Sequence, residues 1–236
     1  MTSIENAVNI NFFATPSHAC GYLPDRIATT VFVDPDMPKN KHLYSILSRH
    51  GFRRSGEFIY RPECAQCNAC VSVRVPVRLF QPNRNQRRTW RKNRDLETIV
   101  LPAEFRQEHF ELYRKYISAR HAKGGMDNPN KENYQRFLIG DWSETHFLEF
   151  RLEEQLAAVA VIDVLDDGLS AVYTFYDPDL AHRSLGRYTI LYEIEHAKHL
   201  GLNWLYLGYW IEECKKMSYK REFKPQQRFT CGHWDK

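Results

Sequence analysis

The chain of 236 residues, 43% hydrophobic and 26% charged, has the composition of an ordinary soluble globular protein, with room for one large core or two small ones. No apolar run approaches the roughly 20 residues that span a bilayer, and the opening "MTSIENAVNINFF" lacks a basic stretch followed by an apolar one, so the expected location is cytoplasmic. The net charge of +4 is segregated: residues 74–94 carry eight basic residues and no acidic one, which leaves −4 on the rest and points to a polyanionic partner.

In chain order, a short strand is expected around Thr30–Val33, then a Pro-rich turn and a helix from about Lys41 to Arg49 that Gly51 closes. "EFIYRP" and "CVSVRVPV" read as strands; Val71, Val73, Val75 and Val77 alternate in the second, and Pro76 predicts an edge or bulged position for it. Phe105, Phe110, Leu112, Tyr113 and Ile117 support an amphipathic helix from Ala103 to about Ala122, which the loop "KGGMDNPN" ends. "LAAVAVIDVL", the turn "DDG" and "LSAVYTFY" form a strand–hairpin–strand. After the loop "DPDLAHRSLG" comes a helix from about Leu185 to Leu200, with Tyr188, Leu191, Ile194 and Ala197 on one stripe. Gly201 ends it, and "NWLYLGYW" is a buried strand. This order is similar to the core of an N-acetyltransferase-like (GNAT) domain. The expected fold is therefore α+β, with a GNAT-like domain over 103–236 and a smaller α+β N-terminal domain over 1–102 that carries the cysteines and the basic block.

With a cytoplasmic location, the six cysteines are expected to be thiols. Cys64, Cys67 and Cys70 sit at C-x-x-C-x-x-C spacing, and Cys20 is a remote fourth candidate. Four thiolates suit tetrahedral zinc, the spacing also suits an iron–sulfur cluster, and reduced structural thiols are the third reading. Val71-Ser72 and the residues after them lack the further Cys-Pro of a ferredoxin-type run. Cys214 and Cys231 are isolated in the sequence and read as packing residues. In the basic block, Arg84, Arg87, Arg88 and Arg91 recur at three-to-four spacing, which in a helix lines guanidinium groups along one backbone groove. Arginine forms bidentate contacts with phosphate oxygens. Phe80 and Trp90 within the run argue for a folded element over a solvated arm.

Six ordered blocks, "CGYLPDRIATTVFVDP", "YRPECAQCNACVSVRVPV", "PNRNQRRTWRKNRDL", "RHAKGGMD", "YTFYDPDLAHRSLGRYTILYEI" and "YLGYWIEECKKMSYKREFKP", resemble the arginyl-tRNA–protein transferase family, most closely its short bacterial, leucine-transferring branch. The resemblance covers nearly the whole chain. It implies transfer of an amino acid from aminoacyl-tRNA to the N-terminal Asp or Glu of a protein, which marks that protein for N-degron proteolysis. Acyl transfer of this kind needs no redox step, so no cofactor is expected to be required for it, and any zinc or iron–sulfur cluster would be a brace or an oxidation sensor. Leu23 stands where eukaryotic relatives pair their first cysteine, a departure that bears on any shared cluster.

With that reaction implied, Arg84, Arg87, Arg88, Arg91, Lys92 and Arg94 are expected to hold tRNA, joined by Arg183, Gly186 and Arg187 at the start of the helix after the central strand, where free N–H groups face outward. Tyr188 stands where coenzyme-A users keep a small residue, which argues against an acetyl-CoA enzyme. Tyr176, Asp177 and Tyr209 are expected to flank the reacting ester, with Asp177 orienting the amine. Arg61, Lys220 and Arg221, with Arg187, are candidates to read the acceptor's acidic side chain. Arginyl transfer and tRNA binding without transfer are the alternatives.

Overall fold

The computed structural model of the chain describes residues 10–120 and 129–235. The expected loop at 123–130 and most of the "RHAKGGMD" block lie largely outside them. Near the start, β1 (Phe12–Ala14), β2 (His18–Ala19), β3 (Ile27–Ala28) and β4 (Thr30–Val33) precede α1 (Lys41–Arg49), followed by β5 (Arg53–Ser55) and β6 (Phe58–Pro62). β1, β4, β6 and β5 pair in that order as a small antiparallel sheet, and β2 pairs with β3 separately. The helix starts where the Asn40 side chain accepts the Leu43 N–H. It stops at Gly51, whose φ of +82° a residue with a Cβ would resist.

The rest of the chain runs β7 (Val71–Pro76), α2 (Arg84–Lys92), β8 (Leu96–Pro102), α3 (Gln107–Arg120), α4 (Lys131–Leu138), β9 (Thr145–Leu152), β10 (Gln155–Val164), β11 (Gly168–Tyr176), α5 (Leu185–His199), β12 (Trp204–Trp210), β13 (Gln227–Thr230) and β14 (His233–Trp234). Its strands form one eight-stranded sheet in the order β14-β13-β7-β12-β11-β10-β9-β8. The fold is thus a mixed α/β structure around a large sheet. β7 and β8 both come from before residue 103, so this sheet crosses the division expected after residue 102. No helix among the described residues is long and apolar enough to cross a membrane.

β10 explains its own uninterrupted apolar sequence. Ala158, Ala160 and Ile162 pack with α5 on one face, and Val159 and Val161 pack with α3 and α4 on the other, so both faces are dry. The expected α5 stripe of Tyr188, Leu191, Ile194 and Ala197 is buried as a unit. A third cluster places α1 against Leu165 and Tyr206 of the large sheet. β7 is a correction. It is internal, between β12 and β13, and Pro76 is tolerated because it ends the strand, past the Ser72–Arg74 stretch that β13 pairs with.

The two sheets are joined by charge. Arg54 on β5 donates through Nε and Nη2 to both carboxylate oxygens of Asp163 on β10 at 2.8 Å, with both side chains fully buried. Thr145 donates to the same carboxylate at 2.6 Å, and Arg54 also reaches the carbonyls of Gly56 and Leu138. Arg54→Leu leaves Asp163 as a lone buried charge and is expected to cost about 3–5 kcal/mol of stability. Denaturant titration should show that loss, and the Arg54→Leu/Asp163→Leu double variant should recover much of it.

Candidate functional site

β11 and β12 are the parallel pair in the large sheet, and they stay together only briefly. Gly168, Leu169 and Ser170 register with Trp204, Leu205 and Tyr206, after which no pairing joins them. On its other side β12 shifts register between Tyr206 and Gly208, and Gly208 takes φ +76°. The sheet therefore opens into a fork from Ala171 and Leu207 onward. Unpaired strand carbonyls need donors, and Arg53 supplies them. Its guanidinium donates to the carbonyls of Ala171 at 2.5 Å and Tyr206 at 3.3 Å, and to the hydroxyl of Ser170. A Cβ on Gly208 would stand 3.0 Å from Arg53 Nε, so the glycine makes room for the plug.

The walls of the fork carry titratable groups, of which Lys220 is expected from the sequence and Glu193 and Tyr219 are not. Glu193 on α5 is fully buried, and neither of its carboxylate oxygens has a hydrogen-bond partner among the described residues. Burial pushes it up to about 8, against the pull of Arg53. Lys220, in the short 3₁₀ segment Lys215–Glu222, donates to the Tyr209 carbonyl at 2.6 Å. Burial, and then the Arg53 charge, push Lys220 down to about 7. Its neighbour Tyr219 is raised to about 12, by burial and then by Glu193. Arg53 itself is a buried positive charge without an ion-pair partner among the described residues. The sequence did hold a signal: Glu193 interrupts an apolar helix face, between Ile190 and Ala197 at three-to-four spacing.

The residues expected to flank the reaction are differently placed. Asp177 caps the following 3₁₀ turn by accepting the Asp179 N–H, and it also accepts from Lys115 at 2.7 Å and Gln155 at 3.1 Å. Three donors thus hold its carboxylate in place, two on Oδ1 and one on Oδ2. Tyr209 shares its proton between the carbonyls of Gly51 and Tyr60, and burial holds its hydroxyl well above the usual phenol range. It ties the fork's wall to the small sheet. Tyr176 stands over the start of α5, its ring 3.3 Å from where a Gly186 Cβ would lie, and its hydroxyl accepts from Arg120 at 2.7 Å. Tyr188 packs in the core against Trp90 and Phe150, so its bulk gives no argument about coenzyme A. Arg61 is held by Glu63 and the His50 carbonyl, whereas Arg221 is exposed without a hydrogen bond or ion pair among the described residues.

The basic block folds as α2. Asn83 and Gln86 form a reciprocal capping box, and Gln86, the helix's one buried residue, donates to the Glu222 carbonyl. At the other end Asn93 donates to the Arg183 carbonyl and Lys92 to the His182 carbonyl, which moors α2 beside the start of α5. Arg84, Arg88, Arg91 and Arg94 are exposed and make no hydrogen bond or ion pair among the described residues, while Arg87 reaches the Pro82 carbonyl. By contrast, Arg183 is bidentate to Asp95 and Arg187 to Glu222, so their charges are already answered.

Two cysteines, Cys70 and Cys214, lie close enough to Tyr209 and Lys220 to act on them electrostatically. Cys64 and Cys67 face each other across an isolated bridge. Cys70 is pushed up to about 12 by burial and then by the thiols of Cys20, Cys64, Cys67 and Cys214. Cys214, read as isolated, therefore belongs to this cluster. Metal ligation requires thiolates, yet no group of three or more His, Cys, Asp or Glu among the described residues is placed to hold a metal ion. As arranged, the donor set does not fit zinc or a cluster.

Two family models match the chain. The one described as "Arginine-tRNA-protein transferase, N terminus" covers residues 18–88, and "Arginine-tRNA-protein transferase, C terminus" covers residues 108–230. A protein of Marinobacter nauticus named "Aspartate/glutamate leucyltransferase" is 51% identical over 98% of both chains. One of the same name from Nitrosococcus oceani is 50% identical over 96% of this chain and 95% of its own. Among solved structures, "The structure of L-PGS from Bacillus licheniformis" overlaps 60% of this chain and 46% of that chain at 16% identity and TM-score 0.46, too slight a likeness to argue from.

The buried carboxyl sets a pH dependence of stability. Between about pH 4.5 and 8 the folded chain keeps a proton on Glu193 that the unfolded chain has released, so stability falls as pH rises through that window. Glu193→Gln removes this slope. Thermal melts should show the variant equal to the parent near pH 4.5 and more stable by several degrees near pH 8.

Proposed function

The chain belongs to the arginine-tRNA-protein transferase family, and from that membership we infer that it moves a leucyl group from Leu-tRNA onto the amino terminus of proteins that begin with Asp or Glu, marking them for N-degron proteolysis. The near-full-length relatives named as leucyltransferases support leucine as the donor residue. Such substrates put the reaction in the cytoplasm. In this reading the C-terminal half is N-acetyltransferase-like, a view supported by the parallel pair that opens with α5 at its mouth. The division near residue 102 is one of labour: the first part carries the tRNA-holding helix and Arg53, the second carries the strands that form the fork.

The observation that carries acceptor specificity is the unanswered positive charge in the fork. Arg53 is permanently charged and buried, and Lys220 is pushed down to about 7 because burial, and then Arg53, oppose its proton. A carboxylate entering the fork answers both. The acceptor's Asp or Glu side chain is such a carboxylate, and its amide would not be. Binding it restores the Lys220 charge and fixes the adjacent α-amine in place. Arg61 and Arg187, already paired, are weaker candidates for this task.

The donor ester is already activated, so proximity contributes much of the rate. A neutral α-amine attacks the ester carbon, and the C–N bond forms through a tetrahedral oxyanion. The C–O bond to the ribose then breaks, and the amine's proton leaves with the ribose hydroxyl. With an α-amine pKa of about 8 an appreciable neutral fraction exists without a strong base. Phosphates are held by the unpaired guanidinium groups of α2 beside the start of α5. No step is routed through a metal or cluster.

Incubation with leucyl-tRNA and an Asp-initiated peptide should increase the peptide's mass by one leucyl residue, and an unchanged mass would defeat the reading. Converting Arg87, Arg88 and Arg91 together to Glu should abolish tRNA binding. In the parent, log affinity should fall with log salt by roughly 0.7–0.9 per phosphate contact. Lys220→Met should abolish transfer to the acidic peptide with tRNA affinity intact. Calorimetry in buffers of different ionisation enthalpy should find the parent taking up a proton, up to about one, as the acidic peptide binds near pH 8.

A further inference from the structure

A second concavity lies outside the fork, between α2 and α5, with a volume of about 570 Å³, the size range of small-ligand sites. Phe80, Trp90 and Leu191 give it an apolar lining, Arg87 and Arg91 stand on its α2 side, and Glu195 stands on its α5 side. Trp90 is 36% exposed, an unusual place for an indole, and it is braced from beneath by the buried Tyr188 ring at 5.5 Å. Arg91 makes no hydrogen bond or ion pair among the described residues. Glu195 gives one carboxylate oxygen to Lys198 at 2.7 Å, and no hydrogen bond takes the other among the described residues. The cleft thus combines a fixed aromatic platform, a cationic edge continuous with the exposed arginines of α2, and a lone acceptor facing them.

We propose that this cleft takes an unpaired, amino-bearing nucleobase from the single-stranded CCA end of the tRNA, stacked on Trp90, with Arg87 and Arg91 on the flanking phosphates and the free oxygen of Glu195 accepting from the base's exocyclic amine. The proposal rests on the reading of the chain as a user of charged tRNA. Aromatic side chains in cationic grooves are the general means of holding unpaired bases. A carboxylate acceptor selects bases that carry an amine, adenine at N6 and cytosine at N4, and rejects uracil, which offers a carbonyl there. The CCA end consists entirely of amino-bearing bases. A free amino acid would also answer opposed arginine and glutamate groups. It would leave the platform and most of the volume unused, and it would not engage the arginine row beyond the cleft.

The test is fluorescence anisotropy of labelled ACCA and UUUU ribotetranucleotides with the full chain at one low salt concentration. The parent should bind ACCA more tightly. Trp90→Leu should weaken ACCA binding roughly tenfold or more, and Trp90→Phe should restore most of it, which separates lost stacking from lost fold. Glu195→Leu should narrow the gap between ACCA and UUUU, and the electrostatic gain from the lost carboxylate should be shared by both. Equal parental affinity for the two sequences, a Trp90→Leu variant as tight as the parent, or displacement of ACCA by millimolar leucine would overturn the proposal. Because the readout is binding, an enzyme that transfers leucine yet does not discriminate these oligonucleotides defeats this inference alone, and a chain that discriminates them but transfers nothing defeats the proposed function alone.

Discussion

Two consecutive arginines on a three-residue strand hold this molecule in its working shape. Successive side chains of a strand point to opposite faces, and β5 is covered on both, so Arg53 and Arg54 are each buried and each must be satisfied in a different direction. Arg54 is satisfied by a carboxylate and locks the small sheet to β10. Arg53 is satisfied by strand carbonyls and props open the fork between β11 and β12. The first interaction is a closed ion pair with no charge to spare. The second leaves its positive charge uncancelled beside the opening where a substrate carboxylate would enter. Neighbouring residues of one type thereby divide into one that is paired with a carboxylate and one that is held by strand oxygens alone.

The same distinction between answered and unanswered charge organises the surface. Arg183 and Arg187 look like phosphate ligands by position, but Asp95 and Glu222 already hold them. The arginines of α2 have no such partners among the described residues, and the helix that carries them is fixed at both ends, by Gln86 to the segment before Phe223 and by Asn93 and Lys92 to the turn before α5. A row of guanidinium groups on a moored helix keeps its charges in register for a polyanion, which a solvated arm cannot do. The mooring partners come from the chain's last third, so the basic block depends for its orientation on residues some ninety or more positions away.

Elements with strong local signals were legible in advance. The helix over Lys41–Arg49, the strand pair around "DDG" and the helix beginning at Leu185 follow from spacing and glycine stops. The α2 spacing of Arg84, Arg87, Arg88 and Arg91 likewise anticipated a helix. Legibility failed where a residue's task is set by what crosses it. Asp177 reads as a free carboxylate beside a strand end, but Lys115 and Gln155 arrive from α3 and β10 and occupy it. Cys214 reads as solitary because the other thiols of its cluster lie far away in sequence.

The sequence by itself determined the family, the segregation of positive charge into residues 74–94 and the periodicity of most elements, because each is written in neighbouring residues or in short spacings. Only the tertiary structure decided which charges are answered. Whether Arg53, Glu193 or Lys220 keeps a free charge, an unmet proton acceptor or a displaced pKa depends on burial and on partners brought from other strands and helices. Desolvation and pairing are properties of a place in the folded chain, and no local pattern of residue types encodes them.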